Sequence, residues 1–352
     1  MTAVRRAVAP ASTTIAMIAD EVGVSMTTVS KVLNGRTDVA PGTRARVQAC
    51  LERHRYRRRS RRRSVGTDQI DLVFHEFDSV WAMEIIRGVE AITTATRIEI
   101  VLSQLGGRHR PPQEWLEGLL SRRPLGVLFV LCGPTEAQQQ LLRHQRIPFV
   151  VVDTDSATSA WVPTVGCNNW NGGLLAAGHL LGLGHRRIAV ISGPEDVLCS
   201  RARVAGFRFA HDEAGIPVDP GLVRYGNFSV GAGHEHGTEL LSRADRPTAI
   251  FAGSDMQAMG VLRAAHGLGL DVPRELSVIG YDNLPLAAWT APALTTINQP
   301  LQDMAGTAAR MLLDLARGTE LATSRVDLVT ELVVRESTAP CAARVDGPAA
   351  SA

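Results

Sequence analysis

The chain has 352 residues, 45% of them hydrophobic, which is enough for two or three domains with apolar cores. Its net charge of +2 is unevenly distributed, because residues 1–65 contain 14 lysines and arginines against four acids and the remainder is acidic. A basic N-terminal region followed by an acidic remainder indicates a nucleic-acid-binding protein whose other part has a different function. No apolar run approaches the roughly 18 residues of a membrane span, no secretory signal is evident, and five scattered cysteines fit a reducing compartment. We therefore expect a cytoplasmic protein without a membrane partner.

The stretch TIAMIADEVGVSMTTVSKVLNG, residues 14–35, predicts two short helices joined by a tight turn. Gly23 stands where the first helix must stop, since glycine accepts a positive φ without a Cβ clash. Ser25 is suited to cap the second helix, which has apolar residues at i, i+3 and i+4. Residues 42–53 predict a third helix. This is the pattern of a helix-turn-helix domain, whose second helix enters a DNA major groove, although a plain helical hairpin would share part of it.

A run of arginines, RRRSRRR at residues 57–63, follows this domain. Blocks of like charge are usually solvated and poorly ordered. Beside a DNA-binding helix, the same block is suited to lie on phosphates or enter the minor groove. We interpret residues 57–68 as a hinge linker.

From residue 70 onward, continuous Val/Ile/Leu runs alternate with amphipathic helices, which predicts mainly parallel, doubly wound α/β sheets. About 270 residues exceed one such unit, so we expect two lobes with a cleft at the carboxyl ends of their strands. The predicted divisions are a disordered arm (1–12), the helix-turn-helix domain (13–56), the hinge (57–68), lobe 1 (about 69–165 and 297–320), lobe 2 (about 166–296 and 321–338) and a disordered tail (339–352).

Several further motifs are specific: EIIRGVE (84–90), LGHRRIAVISGP (183–194), RVAGF (203–207), FAGSDMQAMG (251–260) and VIGYDNLPLAAWTAPALTTINQP (278–300). With them and the 14–35 stretch, the chain resembles the lac-repressor (LacI) family of bacterial transcription regulators along nearly its full length. The resemblance implies a two-lobed core like that of periplasmic binding proteins and a homodimer. It also implies affinity for pseudo-palindromic double-stranded operator DNA, controlled by a small effector that is most often a sugar.

The resemblance also implies which residues contact DNA. Met26 and Thr27 fall on the family's major-groove positions and Lys31 on a further one, where arginine is commoner. The family's hinge motif, Pro-Asn-Ala-x-Ala-Arg-x-Leu, is replaced here by RRSRRRSV, so Val65 stands in the place of the leucine that wedges into DNA. The candidate DNA-binding residues are Thr14, Ser25, Met26, Thr27, Thr28, Ser30, Lys31, Asn34, Arg58, Arg59, Arg62, Arg63 and Val65.

The effector positions of the family carry over to acids, an arginine and aromatic residues. Carboxylates and arginine hydrogen-bond to paired hydroxyls, while an aromatic ring packs against a sugar's CH groups. This set of residues therefore fits a carbohydrate. Trp81, Trp170 and Trp289 suggest a cleft long enough for a short oligosaccharide. The loop Glu76–Ser79 is expected at the cleft wall. The candidate effector-binding residues are Asp78, Trp81, Asp153, Asn168, Arg201, Arg203, Phe228, Asp255 and Asp282.

Nothing in the sequence argues for catalysis, a cofactor or a metal. GLGH at 182–185 precedes a strand, whereas the dinucleotide fingerprint follows one, and HEH at 234–236 places two histidines on an expected strand without a third ligand. We therefore expect a repressor of sugar-uptake or catabolic genes that is released when a sugar binds. An effector-dependent activator, a co-repressed regulator, a cytoplasmic solute-binding protein and a sugar-modifying enzyme are the alternatives.

Overall fold

Residues 15–33, 39–54, 68–76, 79–153 and 161–341 are described by the computed structural model. They fall into two units, divided between residues 66 and 67. In the first unit, helices α1 (Ile15–Val22), α2 (Met26–Leu33) and α3 (Pro41–Arg53) pack around a small apolar core. Gly23 has the predicted positive φ, and the hydroxyl of Ser25 accepts a hydrogen bond from the Thr28 amide. The predicted three-helix domain is confirmed.

The second unit contains two six-stranded sheets with helices on both faces of each. The first part of its chain forms β1 (Gln69–Phe74), α4 (Val80–Thr93), β2 (Glu99–Gln104), α5 (Gln113–Arg122), β3 (Gly126–Val130), α6 (Glu136–His144), β4 (Phe149–Val152) and β5 (Thr164–Cys167). The next part forms α7 (Asn169–Gly182), β6 (Ile188–Ser192), α8 (Leu198–Glu213), β7 (Val223–Tyr225), α9 (Val230–Leu241), β8 (Ala249–Ala252), α10 (Asp255–Gly267), β9 (Ser277–Asp282) and β10 (Thr295–Asn298). The last part forms α11 (Leu301–Arg317), β11 (Arg325–Leu328) and β12 (Glu331–Val333).

Lobe 1 is built on the sheet β11-β5-β4-β3-β1-β2, in which every pair is parallel. Helices α4 and α11 cover one face and α5 and α6 the other. Lobe 2 is built on β12-β10-β9-β8-β6-β7, which is parallel except for β12. There α7 and α8 cover one face and α9 and α10 the other. Because helices cover both faces of each sheet, the strands are buried on both sides and consist of nearly unbroken apolar residues. The predicted α/β class with mainly parallel sheets is confirmed.

The chain crosses between the lobes three times, after β5, after β10 and after β11. The last crossing corrects one predicted boundary. Residues 321–338 were all expected in lobe 2, but β11 pairs with β5 and belongs to lobe 1. Its alternating, half-exposed side chains give no apolar run to mark it as part of a buried sheet.

Two further expectations are wrong in detail. The histidines of HEH at 234–236 lie on helix α9, not on a strand. Residues 339–341 of the expected disordered tail are instead held in place, because the Ala339 amide donates to the Ser277 hydroxyl and the Cys341 amide donates to the Leu183 carbonyl. The predicted arm, residues 57–67 of the predicted hinge, and residues 342–352 lie outside the described residues. No helix in the described ranges is long and apolar enough to cross a membrane.

Candidate functional site

Helix α2 begins with exposed residues, and its valines are buried. Val29 and Val32 are buried against α1 and α3, whereas Met26 is 59% exposed and Thr27 is also exposed. Helical spacing produces this division, because positions three or four residues apart share one face. The two predicted base readers therefore stand at the accessible N-terminal end of the helix.

The other candidate DNA-binding residues divide into two groups. The Ser25 and Thr28 hydroxyls are hydrogen-bonded to each other at 2.9 Å, and Ser30 and Lys31 are half-buried along the same helix. The remaining candidates lie outside the described residues: Thr14, Asn34, Arg58, Arg59, Arg62, Arg63 and Val65.

A cavity of about 380 Å³ lies between the two lobes of the second unit. Its walls are formed where strands of both sheets end, which is where ligands bind in open parallel α/β sheets. Lobe 1 contributes His75, Glu76, Ser79, Trp81, His109, Leu131 and Asp153, and lobe 2 contributes Pro194, Val197, Cys199, Arg203, Asn227, Phe228, Ser229, Val230, Ser254, Met256 and Asp282.

Arg203, on the inner face of α8, is held rigidly at this cavity. Its side chain is almost fully buried and donates from Nε to Asn169 at 2.8 Å, from Nη1 to the Gly253 carbonyl at 2.5 Å and from Nη2 to Gln299 at 3.2 Å. The guanidinium also stacks on the ring of Tyr281, with its Cζ atom 3.6 Å from the ring centroid. A guanidinium has five N–H donors, so the N–H groups not used in these three bonds can donate to a ligand.

Two acids flank the arginine, one from each lobe. Asp153 directly follows β4 and Asp282 is the last residue of β9, and both have a positive φ. Asp282 Oδ1 lies 4.0 Å from Arg203 Nη1. Burial raises the pKa of Asp153, although Arg203 opposes the shift. Burial likewise raises the pKa of Asp282 well above its ordinary value, and the nearby carboxylates of Asp255 and Asp153 add to the shift while Arg203 opposes it. The Arg203 guanidinium thus faces two carboxyl groups, Asp153 and Asp282, whose burial disfavours the charged form. This arrangement suits a neutral ligand with many hydroxyls, since a hydroxyl can donate to a carboxylate or accept from a carboxylic acid.

Aromatic side chains complete the walls. Phe228 has a positive φ and its ring lies 5.4 Å from the Arg203 guanidinium, while Trp81 reaches the cavity from α4 of lobe 1. Cys199 lies beside them, and burial raises the pKa of its thiol to about 12, so it carries no thiolate at neutral pH. The cavity is thus lined by apolar surface with a few convergent polar groups, as ligand sites usually are.

Three candidate effector residues lie elsewhere. Asn168 is exposed and caps α7, accepting a hydrogen bond from the Asn171 amide. Arg201 lines a separate outer groove of lobe 2, and Trp170, which was expected in the cleft, lines the same groove. Asp255 is fully buried, and its carboxylate accepts bonds from the Leu284 amide and the Thr296 hydroxyl.

Trp289 is 85% exposed and is not among the cavity-lining residues either, so the expected row of tryptophans reduces to Trp81. Asp78 lies outside the described residues. Of the nine candidates, the cavity brings together Trp81, Asp153, Arg203, Phe228 and Asp282.

The sequence interpretation missed two histidines at the cavity. His75 directly follows β1 and His109 lies beyond β2, and their rings stack with centroids 4.2 Å apart. They meet because β1 and β2 are neighbours in the sheet. The position of His75 immediately after a buried strand was a usable signal, but nothing in the sequence indicated His109 as its partner.

Comparisons with known proteins agree with this geometry. Residues 14–59 match the family described as bacterial regulatory proteins, lacI family, and residues 177–338 match the periplasmic binding protein-like domain. The HTH-type transcriptional repressor PurR of Salmonella arizonae is 35% identical over 340 residues, covering 95% of this chain and 98% of the relative. Catabolite control protein A of Priestia megaterium is 31% identical over 329 residues, covering 92% and 99%.

Among solved structures, a complex of the transcriptional regulator CelR with cellobiose is similar, with a TM-score of 0.70 and 32% identity. The match covers 92% of this chain and 99% of that one. These relatives are transcriptional regulators and not enzymes. The chain therefore belongs to the lacI family of bacterial regulatory proteins and is a DNA-binding transcriptional regulator.

Proposed function

We propose that this regulator represses its target genes and releases its operator when a sugar binds between the lobes. The observation that carries the proposal is the buried guanidinium of Arg203 flanked by Asp153 of lobe 1 and Asp282 of lobe 2. A ligand that bridges these groups contacts both lobes at once. Its binding energy therefore depends on how the lobes are arranged, which is the requirement for control by a ligand.

The size of the cavity favours a small sugar. A volume of about 380 Å³ lies at the lower end of the roughly 300–1,000 Å³ typical of ligand sites. With only Trp81 of the three tryptophans at the cavity, a mono- or disaccharide fits better than a longer oligosaccharide. The similar CelR structure contains cellobiose, which makes disaccharides the first compounds to test.

The DNA-bound form is proposed to be a homodimer in the cytoplasm. One helix-turn-helix reads one half-site, so two copies match a pseudo-palindromic operator. Met26 and Thr27 would contact bases from the accessible start of α2, with Lys31 further along the helix. The arginines of the hinge would supply phosphate or minor-groove contacts that depend strongly on salt.

The sign of the response is the main alternative within this class. In a co-repressed regulator, the sugar would favour the operator-binding arrangement and raise affinity; in an activator, the same switch would promote transcription. A solute-binding protein would need no helix-turn-helix. A sugar-modifying enzyme would convert its bound sugar, and turnover of a cavity-bound sugar would establish it.

The test begins with thermal denaturation of the full-length protein against a panel of mono- and disaccharides. A sugar at 100 times its dissociation constant stabilises the folded state by roughly 2.7 kcal/mol, which is readily detected. The variant Arg203→Met should lose the response to the active sugar, whereas Arg201→Met, two residues away on the exposed side of α8, should keep it. If no sugar on the panel stabilises the wild-type protein, the proposed effector class is wrong, while the DNA-binding role stands.

A further inference from the structure

Three side chains of metal-ligating type meet between α1 and α3 of the DNA-reading domain. Glu21 lies near the end of α1, and Cys50 and His54 are four residues apart on α3, so they share one face of that helix. One ligand atom from each lies within 4.8 Å of the others, and Glu21 Oε2 is 2.5 Å from His54 Nε2. In the described ranges, no other group of three histidines, cysteines or acids is gathered as closely.

These donors suit zinc. Thiolate, imidazole and carboxylate bind Zn²⁺ at about 2.0–2.3 Å in a tetrahedron, which separates ligand atoms by about 3.3–3.6 Å. The cluster needs shifts of about 1 Å to reach this spacing, and the Glu21–His54 contact of 2.5 Å must open. Both of those side chains are partly exposed, at 38% and 31%, and can move, whereas Cys50 is fixed in the core. The exposed side of the cluster gives a cation access and leaves room for a water as the fourth ligand.

The present partners of the three groups do not prevent binding. Arg53 contacts Oε1 of Glu21 at 2.8 Å, so Oε2 is the oxygen that faces His54. The Cys50 thiol hydrogen-bonds to Glu21, and burial together with that carboxylate raises its pKa. A metal must therefore displace the thiol proton, as in other thiolate sites. The two anions that result balance the charge of Zn²⁺ within a strongly basic domain.

We propose that Glu21, Cys50 and His54 form a zinc site that ties α1 to α3. Sequence spacing could not predict this group, because Glu21 is remote in sequence from Cys50 and His54. These two helices frame α2, whose buried valines pack between them. Zinc would thus stabilise the reading domain independently of the effector cavity.

The test is titration of untagged, reduced, full-length protein with Co²⁺, followed by displacement with Zn²⁺. One equivalent of Co²⁺ should produce a thiolate-to-cobalt charge-transfer absorption that Zn²⁺ removes. Cys50→Ser should abolish this absorption. His54→Gln and Glu21→Gln, at partly exposed positions, should weaken Co²⁺ binding by more than the roughly 10–100-fold that loss of an outer-shell partner costs. Cys341→Ser, which changes a cysteine of the other unit, should leave binding unchanged.

The proposal is overturned if the wild-type protein shows no such absorption at saturating Co²⁺, or if the absorption survives Cys50→Ser. If Cys50→Ser fails to fold, the two glutamine variants decide. Affinity within about twofold of wild type in both would mean that Glu21 and His54 form only an ion pair.

Discussion

Arg203 is the most informative position to perturb, because the cavity is assembled around its guanidinium. Arg203→Met keeps a long, unbranched side chain and removes the charge and all donors. The Asn169, Gly253 and Gln299 oxygens then lose their donor, and Asp153 and Asp282 lose the neighbouring cation.

The expected loss of stability follows from burial. Removing one partner of a buried charge network costs about 3–5 kcal/mol, because the other partners remain desolvated. Here the carboxyl groups of Asp153 and Asp282 can reduce this cost by binding a proton, which removes their charge. In the folded state, the pKa values of Asp153 and Asp282 are already raised, and they rise further without Arg203. A carboxyl group with a raised folded-state pKa stabilises most at low pH and loses that contribution as pH rises through the folded-state pKa. The loss in Arg203→Met should therefore be larger at pH 8 than at pH 5, by up to about 1.4 kcal/mol for each unit by which one such pKa rises.

Urea denaturation of full-length protein at pH 5 and pH 8 measures both quantities. The matched control is Arg201→Met, which removes an exposed arginine from the same helix and should change stability by less than about 0.5 kcal/mol. A loss of stability below about 1 kcal/mol for Arg203→Met at pH 8, or an equal loss at both pH values, would show that Arg203 does not hold a buried charge network together.

Further predictions concern the other parts of the molecule. Burial raises the pKa of Asp255 to about 7, so its contribution to stability, complete below about pH 4, is lost as pH rises through 7, by up to about 4 kcal/mol. In urea titrations, Asp255→Asn should flatten this decline, and an unchanged pH slope would contradict the assignment. Gly206→Ala should lower the free energy of unfolding in urea by about 1–3 kcal/mol, because its Cβ would meet the backbone of α7. The Cβ added in Gly178→Ala points into open space, so this variant should be neutral or slightly stabilising. Equal effects of the two would exclude close α7–α8 packing. Exchanging Met26 and Thr27 for other residues should change the preferred operator in a selection from random DNA, and a uniform loss of affinity would mean that they are not the readers. Operator affinity should fall by about 10³–10⁵ between 50 and 200 mM salt if about 6–10 phosphates are engaged, and salt-insensitive binding would contradict the role of the arginines.

The sequence predicted the long, apolar or amphipathic elements well, and missed those without a pattern. The sequence of helix α6 favours a helix, because its apolar residues recur between the capping residues Thr135 and Gln145. Helix α9 was missed, since three glycines interrupt its sequence VGAGHEHGTELL. Strands β5, β7, β10, β11 and β12 have three or four residues each and are too short to show a periodicity.

The candidate site shows a similar division. Acids that end buried strands, such as Asp153 and Asp282, could be placed at the cleft because the carboxyl ends of parallel strands share one edge. Arg201 and Arg203 could not be distinguished by proximity in sequence, but two residues on a helix point about 200° apart, so one faces the cavity and the other the outer groove. The pairing of His75 with His109 depends on strand order, which local sequence does not specify.

The most direct test of the central claim is operator affinity with and without the sugar that gives the largest thermal stabilisation of the full-length protein. We expect saturating sugar to weaken operator binding by about 5–150-fold, which corresponds to a coupling of about 1–3 kcal/mol, and Arg203→Met to abolish this effect. A sugar that binds the cavity while the operator dissociation constant stays within about twofold would contradict control by the interlobe site. A tighter operator complex would contradict release and establish the co-repressed alternative.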